Sequence, residues 1–216
     1  MINKTTILLS ILLIASIFTG CFEKLPAINS KIFEETYPVE SGMGLEVYNF
    51  NGSVTITTWS NNTVKIWAEK KTNFRKTELG NVKINVEKGT NLVVKSEKLA
   101  INPKVSITYD IKILNFMTLT DIETSNGGIK IEGCKGNVFL RSSNRGIDVF
   151  DYEGDINGIT SNGGIAAQKI NGNARLATSN GGINVKDIQG SVKLDSGGDL
   201  LTITTSNANI YLMRMD

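Results

Sequence analysis

The chain has 216 residues, 23 of them basic and 21 acidic, and no histidine. Near-balanced, interspersed charge excludes the basic footprint of a nucleic-acid binder. Without histidine the chain lacks the usual acid–base group near neutral pH and the commonest metal ligand, so neither a metal nor a cofactor is expected.

The amino terminus reads as an export signal. Lys4 precedes an apolar run from Ile7 to Phe18, too short to span a bilayer comfortably, and residues 1–20 are predicted to be a signal peptide. The run ends in Phe18-Thr19-Gly20-Cys21, which resembles a lipobox. Thr19, Gly20 and Cys21 fit that pattern; Phe18 departs from it, because an aliphatic residue is usual there. Acylation of Cys21 would anchor the chain to the outer face of the cell membrane through two acyl chains, with residues 21–31 as a tether. An unused lipobox would leave the chain secreted. Cys134 then has no disulfide partner in the mature chain.

Residues 32–116 read as a β-strand segment. NGSVTITTW, NNTVKIWAEKK, NVKINVEKG, NLVVKSEKL and KVSITYDIKI are short period-two runs bounded by Asn, Gly or Lys. Only Phe74–Gly80 offers one turn of helix, or a loop.

From residue 117 to 212 a repeat takes over. Asn126, Asn144, Asn162 and Asn180 recur at one constant interval, within TSNGGI, SSNRGI, TSNGGI and TSNGGI. A period of that length predicts an all-β parallel solenoid, a single-stranded β-helix of about 18 residues per coil. Aliphatic pairs recur at half that period, as in Ile129/Ile131, Val138/Leu140 and Ile147/Val149, so two strands per coil would build two facing sheets. The strands of 32–116 would cap one end, and a degenerate coil from Ser191 would finish the other. Gly128, Gly146, Gly164 and Gly182 form one corner column, and Gly136, Gly154, Gly172 and Gly190 a second; both are expected to need angles or approaches that glycine tolerates cheaply. The four asparagines should stack into a hydrogen-bonded ladder. The positions one, two and three coils beyond Cys134 are Tyr152, Ile170 and Ile188, which marks an apolar corner rather than a nucleophile.

Calcium-binding nonapeptide rolls need an Asp column that GGIKIEGCK and GGIAAQKIN lack. Hexapeptide coils need aliphatics every six residues, and the period here is nine. A carbohydrate-cleaving site needs paired carboxylates, whereas the outward column Lys130, Asp148, Ala166, Asn184 mixes charges. Trp59, Trp67, Phe139 and Ile159 fall on the polar side of their strands. They form either a binding surface or a face covered by the amino-terminal strands.

GLEVYNFNGSVTITTWSNNTVKIWAEKK, YDIKI and the serial TSNGGI units together resemble the putative-adhesin family of β-strand-repeat domains, related to a head domain named for its GIN repeats. The resemblance covers residues 33–212 and implies an envelope-associated solenoid with no active site to carry over. In that family a proline commonly follows the strand before the first repeat; here Leu114-Asn115 stands in its place. The expected role is a non-catalytic binding, adhesion or scaffolding module for a cell-surface polymer or envelope protein. An envelope-stress or signalling accessory bound to a membrane protein is the alternative, and a polysaccharide-active enzyme is a third reading. The sequence leaves ligand and oligomeric state open.

Overall fold

The computed structural model describes residues 28–197, 201–204 and 207–213. Cys21 and the signal segment lie outside the described residues. The chain is all-β, and its strands join in one mixed sheet that curls nearly closed on itself.

In chain order the strands begin with β1 (Asn29–Pro38), β2 (Gly44–Asn49), β3 (Val54–Trp59) and β4 (Thr63–Thr72). A 3-10 helix (Lys76–Asn81) leads into β5 (Val82–Lys88), β6 (Asn91–Lys98) and β7 (Ser106–Leu114). Next come β8 (Thr118–Thr124), β9 (Ile129–Lys135), β10 (Val138–Ser142), β11 (Ile147–Glu153), β12 (Ile156–Thr160), β13 (Ile165–Asn171) and β14 (Ala174–Thr178). The long β15 (Ile183–Ser196), β16 (Leu201–Thr204) and β17 (Asn207–Met213) complete the order.

Two parallel ladders emerge from the pairing. One runs β6, β2, β8, β10, β12, β14, the second half of β15, and β17. The other runs β7, β3, β9, β11, β13, the first half of β15, and β16. Because β15 passes through a corner without a break, it belongs to both and merges them. From β8 onward each residue faces its equivalent in the next repeat: Val138 faces Ile156, Ile156 faces Ala174 and Ala174 faces Val192. In the second ladder Ile129, Ile147, Ile165 and Ile183 follow one another, each no more than 2% exposed. Alternation explains the strands, since β12 and β14 bury every second residue. The inner rows of both ladders share one aliphatic core.

The ladders do not stop at residue 117. β2 and β3 pair in parallel with β8 and β9, and on their other side with β6 and β7. The chain winds β2–β3, leaves through antiparallel β4, returns as β6–β7 on one side, and crosses to set β8–β9 on the other. Among the described residues the antiparallel pairs are β1 with β4, β4 with β7 and β5 with β6, and β1 and β5 close that end of the two ladders with the 3-10 helix between them. Asn29, Ser30 and Lys31, expected in the tether, already belong to β1, where their backbone pairs with Lys70–Thr72 of β4.

Corners are held by buried hydroxyls. Ser142, Thr160 and Thr178 open the SNRGI and SNGGI turns, and each side chain donates to a carbonyl of the preceding repeat: Gly127, Arg145 and Gly163, at 2.8–3.0 Å. Thr160 also accepts from the Gly163 amide at 3.3 Å. Thr160→Val should therefore orphan two buried backbone groups and cost about 1–3 kcal/mol in urea unfolding, while Thr160→Ser stays near wild type. Equal stability of both variants would show that the hydroxyl does not hold the corner.

The two glycine columns differ. Gly136 and Gly154 have φ of +124° and +120°, in the region side chains avoid. The column of Gly128, Gly146 and Gly164 has no positive φ; a Cβ there would lie 2.8–3.3 Å from the next repeat's carbonyl oxygen. Its constraint is close approach alone. A third repeated bend was not read from the sequence. Asp151, Lys169 and Asp187 all adopt left-handed backbone, φ 54–55°, in the column of Gly133. Each bend turns the following residue, Tyr152, Ile170 or Ile188, into the core beside Cys134.

Candidate functional surfaces

Asn126, Asn144, Asn162 and Asn180 stack along one corner. Each amide nitrogen donates to the side-chain oxygen of the asparagine before it: Asn144 to Asn126 at 2.6 Å, Asn162 to Asn144 and Asn180 to Asn162 at 2.9 Å. The row remains exposed while bonded. A second polar row follows the other corner, where the Asp155, Asn173 and Ser191 amides donate to Asn137, Asp155 and Asn173 side chains at 2.8–3.2 Å. The sequence shows these residues at each coil start but not that they cap the next coil's backbone.

Trp59, Trp67, Phe139 and Ile159 do not form one surface. The tryptophans belong to the wall of β3 and β4, and Phe139 and Ile159 to the wall of β10 and β12. Trp59 is half-buried, and its indole N–H donates to the Thr63 carbonyl at 2.8 Å, fixing the β3–β4 turn. Trp67 is half-buried in an outward row between Glu34 and Asp110. Phe139 lies under the Arg141 guanidinium, 4.8 Å from the ring centroid, and Arg141 pairs with Glu123 at 3.2 Å. Ile159 sits beside Arg141 on the next strand and is 38% exposed. The amino-terminal strands extend the stack rather than fold over these residues, because β2 and β3 continue the same ladders.

A groove of about 420 Å³ runs over Phe139, Asn157 and Arg175 on that wall. Toward β2 the same outward row turns acidic. Tyr48 Oη lies 3.0 Å from Glu46 and 3.1 Å from Asp121. Burial raises the Asp121 carboxyl above its ordinary range, and the neighbouring Glu123 and Glu46 charges push the same way. Sequence reading missed this cluster because Glu46 and Asp121 are remote in the chain and meet only through β2–β8 pairing. A second groove, about 500 Å³, lies outside the left-handed bends and is lined by Asp151, Lys169 and Asp187. Among the described residues no group of three or more Cys, Asp or Glu is placed to hold a metal ion.

Cys134 is 3% exposed in the apolar corner, with Tyr152 as its strand partner. Burial pushes its thiol up to about 12, against the Glu132 backbone hydrogen bond, which lowers it. Tyr109 is likewise pushed up to about 12 by burial. Well below pH 9 the folded and unfolded thiols both keep the proton. As pH rises toward 12 the unfolded chain releases it first, so stability falls. Native Cys134 should resist a thiol reagent at pH 8 and react fully in urea, and the urea midpoint should hold to about pH 8.5 and drop by pH 10.5. Rapid native labelling would remove the packed corner.

No protein-family profile and no curated protein matches the chain. Among solved structures it is similar to a putative cell adhesion protein from Clostridium sporogenes, at 11% identity and a TM-score of 0.35, over 86% of this chain and 100% of that one. It is also similar to a putative adhesin from Bacteroides fragilis, at 13% identity and a TM-score of 0.30, over 86% of this chain and 97% of that one. A putative adhesin from Parabacteroides merdae gives 10% identity and a TM-score of 0.29, over 86% of this chain and 97% of that one. Identities and scores of this size assign neither ligand nor activity to the chain.

Proposed function

We propose that the chain is a β-solenoid with one sequence repeat per coil, anchored by lipid on Cys21 outside the cell membrane, and that it serves as a non-catalytic adhesion or scaffolding module. One observation supports this reading: two parallel ladders run from β6–β7 to β16–β17, slipping by one residue only between Leu45 and Glu46 of β2 and keeping one register from β8–β9 onward, so outward side chains repeat at one strand spacing. At about 4.8 Å per coil, an extended polymer lying along a wall meets many weak contacts in parallel. The wall carrying Phe139, Arg141 and Ile159 offers an aromatic face, a cation and an exposed aliphatic within two strands.

Retention of the chain on isolated cell-envelope polysaccharide tests the proposal. Phe139→Ala combined with Ile159→Ala should weaken retention and leave thermal unfolding nearly unchanged, since both side chains point outward. Shortening of the polymer would replace the reading with an enzyme. Copurification with a membrane protein and no polymer retention would replace it with an accessory role. Anchoring is read separately, from the mass of the mature amino-terminal peptide; an unmodified Cys21 ends that part.

A further inference from the structure

Five large apolar side chains among the described residues are more than half exposed: Ile28, Ile32, Phe74, Leu99 and Ile101, the last at 94%. All five gather at the end closed by β1, β5 and the 3-10 helix. Ile32 and Leu99 line one groove there. The Asn29 side chain donates to the Phe74 carbonyl at 2.9 Å, which ties the Phe74 backbone to the start of β1. The Leu99 amide donates to the Asn81 carbonyl at 2.9 Å, and Ile101 follows two residues on. Such clustering is not the scatter of single apolar residues found on any protein surface.

The groove holds about 820 Å³ and is lined by Lys31, Lys70, Lys76 and Lys83, with no carboxylate among its walls. Lys70 is committed inward, donating to the Leu79 and Val82 carbonyls at 2.8 and 2.7 Å. Lys31, Lys76 and Lys83 are exposed. Exposed Ile, Leu and Phe around a basic rim are the chemistry of a surface that lies in an anionic membrane interface.

The chain's course supplies the second argument. Ile28 is the first described residue, and β1 starts right after it at this same end. Six residues lie between Cys21 and Ile28, a reach of at most about 25 Å when fully extended. A lipid on Cys21 thus holds this end, and not the far end at β17, against the bilayer.

We propose that the closed end docks on the anionic phospholipid surface, with Lys31, Lys76 and Lys83 at the headgroups and Ile32, Phe74 and Ile101 in the interface. Docking would stand the stack upright and aim its walls outward. The inference rests on the Cys21 anchoring proposed above.

Hydrogen exchange of the full chain bound to vesicles tests it. An acylated chain is expected to be held to vesicles by its lipid, and an unprocessed chain by its apolar run from Ile7 to Phe18. On phosphatidylglycerol-containing vesicles, amides of residues 74–83 and 98–104 should be protected relative to pure phosphatidylcholine, while residues 178–182 stay unchanged. Changing Lys31, Lys76 and Lys83 together to Gln should lower the docked-to-undocked ratio about a hundredfold, at about fivefold per lysine, and abolish the protection. These exposed changes should leave the melting curve in place.

Absence of protection on phosphatidylglycerol while the chain is bound overturns the proposal. So does equal protection on neutral vesicles, or equal protection by a soluble anionic polysaccharide. The mass of the Cys21 peptide keeps the two readings apart. Protection with Cys21 unmodified supports docking and removes the anchor; an acylated Cys21 without protection does the reverse.

Discussion

Ile165→Asp is expected to abolish cooperative folding of the chain. Ile165 is 2% exposed and stands in a row between Ile147 and Ile183. A carboxylate there must be desolvated unpaired or take up a proton, and an aliphatic side chain is lost as well. The cost should exceed about 4–5 kcal/mol, a large share of the stability of a typical domain. Ile165→Val, which removes one methyl group, should cost only about 0.5–1.5 kcal/mol. Each repeat pairs with its neighbours along both ladders, so the damage should spread through the sheet. Urea unfolding followed by circular dichroism decides it. An Asp variant with a sharp transition within about 1 kcal/mol of wild type would deny that row 129–147–165–183 is a stacked core.

Gly154→Ala should be among the most damaging substitutions of comparable size. The residue has φ of +120°, and a Cβ would fall 2.2 Å from the Gly136 carbonyl oxygen of the previous coil. Strained backbone alone costs about 1–3 kcal/mol. The overlap is with backbone, which no rotamer change relieves. Moving the neighbouring coil is no remedy, because a Cβ on Gly136 would itself sit 2.6 Å from the Leu119 carbonyl. A loss of about 3 kcal/mol or more is expected. Gly80→Ala is the control, since nothing lies within 4 Å of a Cβ there. Parity between the two variants in melting temperature would refute the contact.

Much of the second half of the fold was legible because its spacing is uniform. Once Asn126, Asn144, Asn162 and Asn180 are aligned, the facing rows follow from the constant period and side-chain alternation. The first half hid its kinship. Asn49-Phe-Asn-Gly-Ser-Val-Thr-Ile56 is a copy of Thr124-Ser-Asn-Gly-Gly-Ile-Lys-Ile131, and Val54 faces Ile129 in the sheet. It escaped notice because the interval between the copies is no multiple of the repeat period. β1 was illegible for another reason: most of its residues are exposed, so no apolar alternation marks it, and backbone pairing with β4 alone makes it a strand. The left-handed bends at Asp151, Lys169 and Asp187 carry only a weak residue signature: Gly133 and the two aspartates are of types that enter this region, but Lys169 is not, and Asp is common outside it. Phe139 and Ile159 were placed outward on the right strands, but their separation from Trp59 and Trp67 depends on which wall each strand joins.

The order in which the stack is assembled departs from the order in which the chain is made. β2 and β3 emerge early, yet the strands that flank them arrive only with residues 91–135. During export or synthesis both their hydrogen-bonding edges stand open until that later stretch is delivered, and nothing local can close them. Formation is thus governed by long-range closure, which is slow and leaves the newborn amino-terminal half exposed to wrong partners. The same wiring acts as a lock once complete: the innermost turn is held by segments on both sides, so neither terminus can peel it away without first dismantling a neighbour.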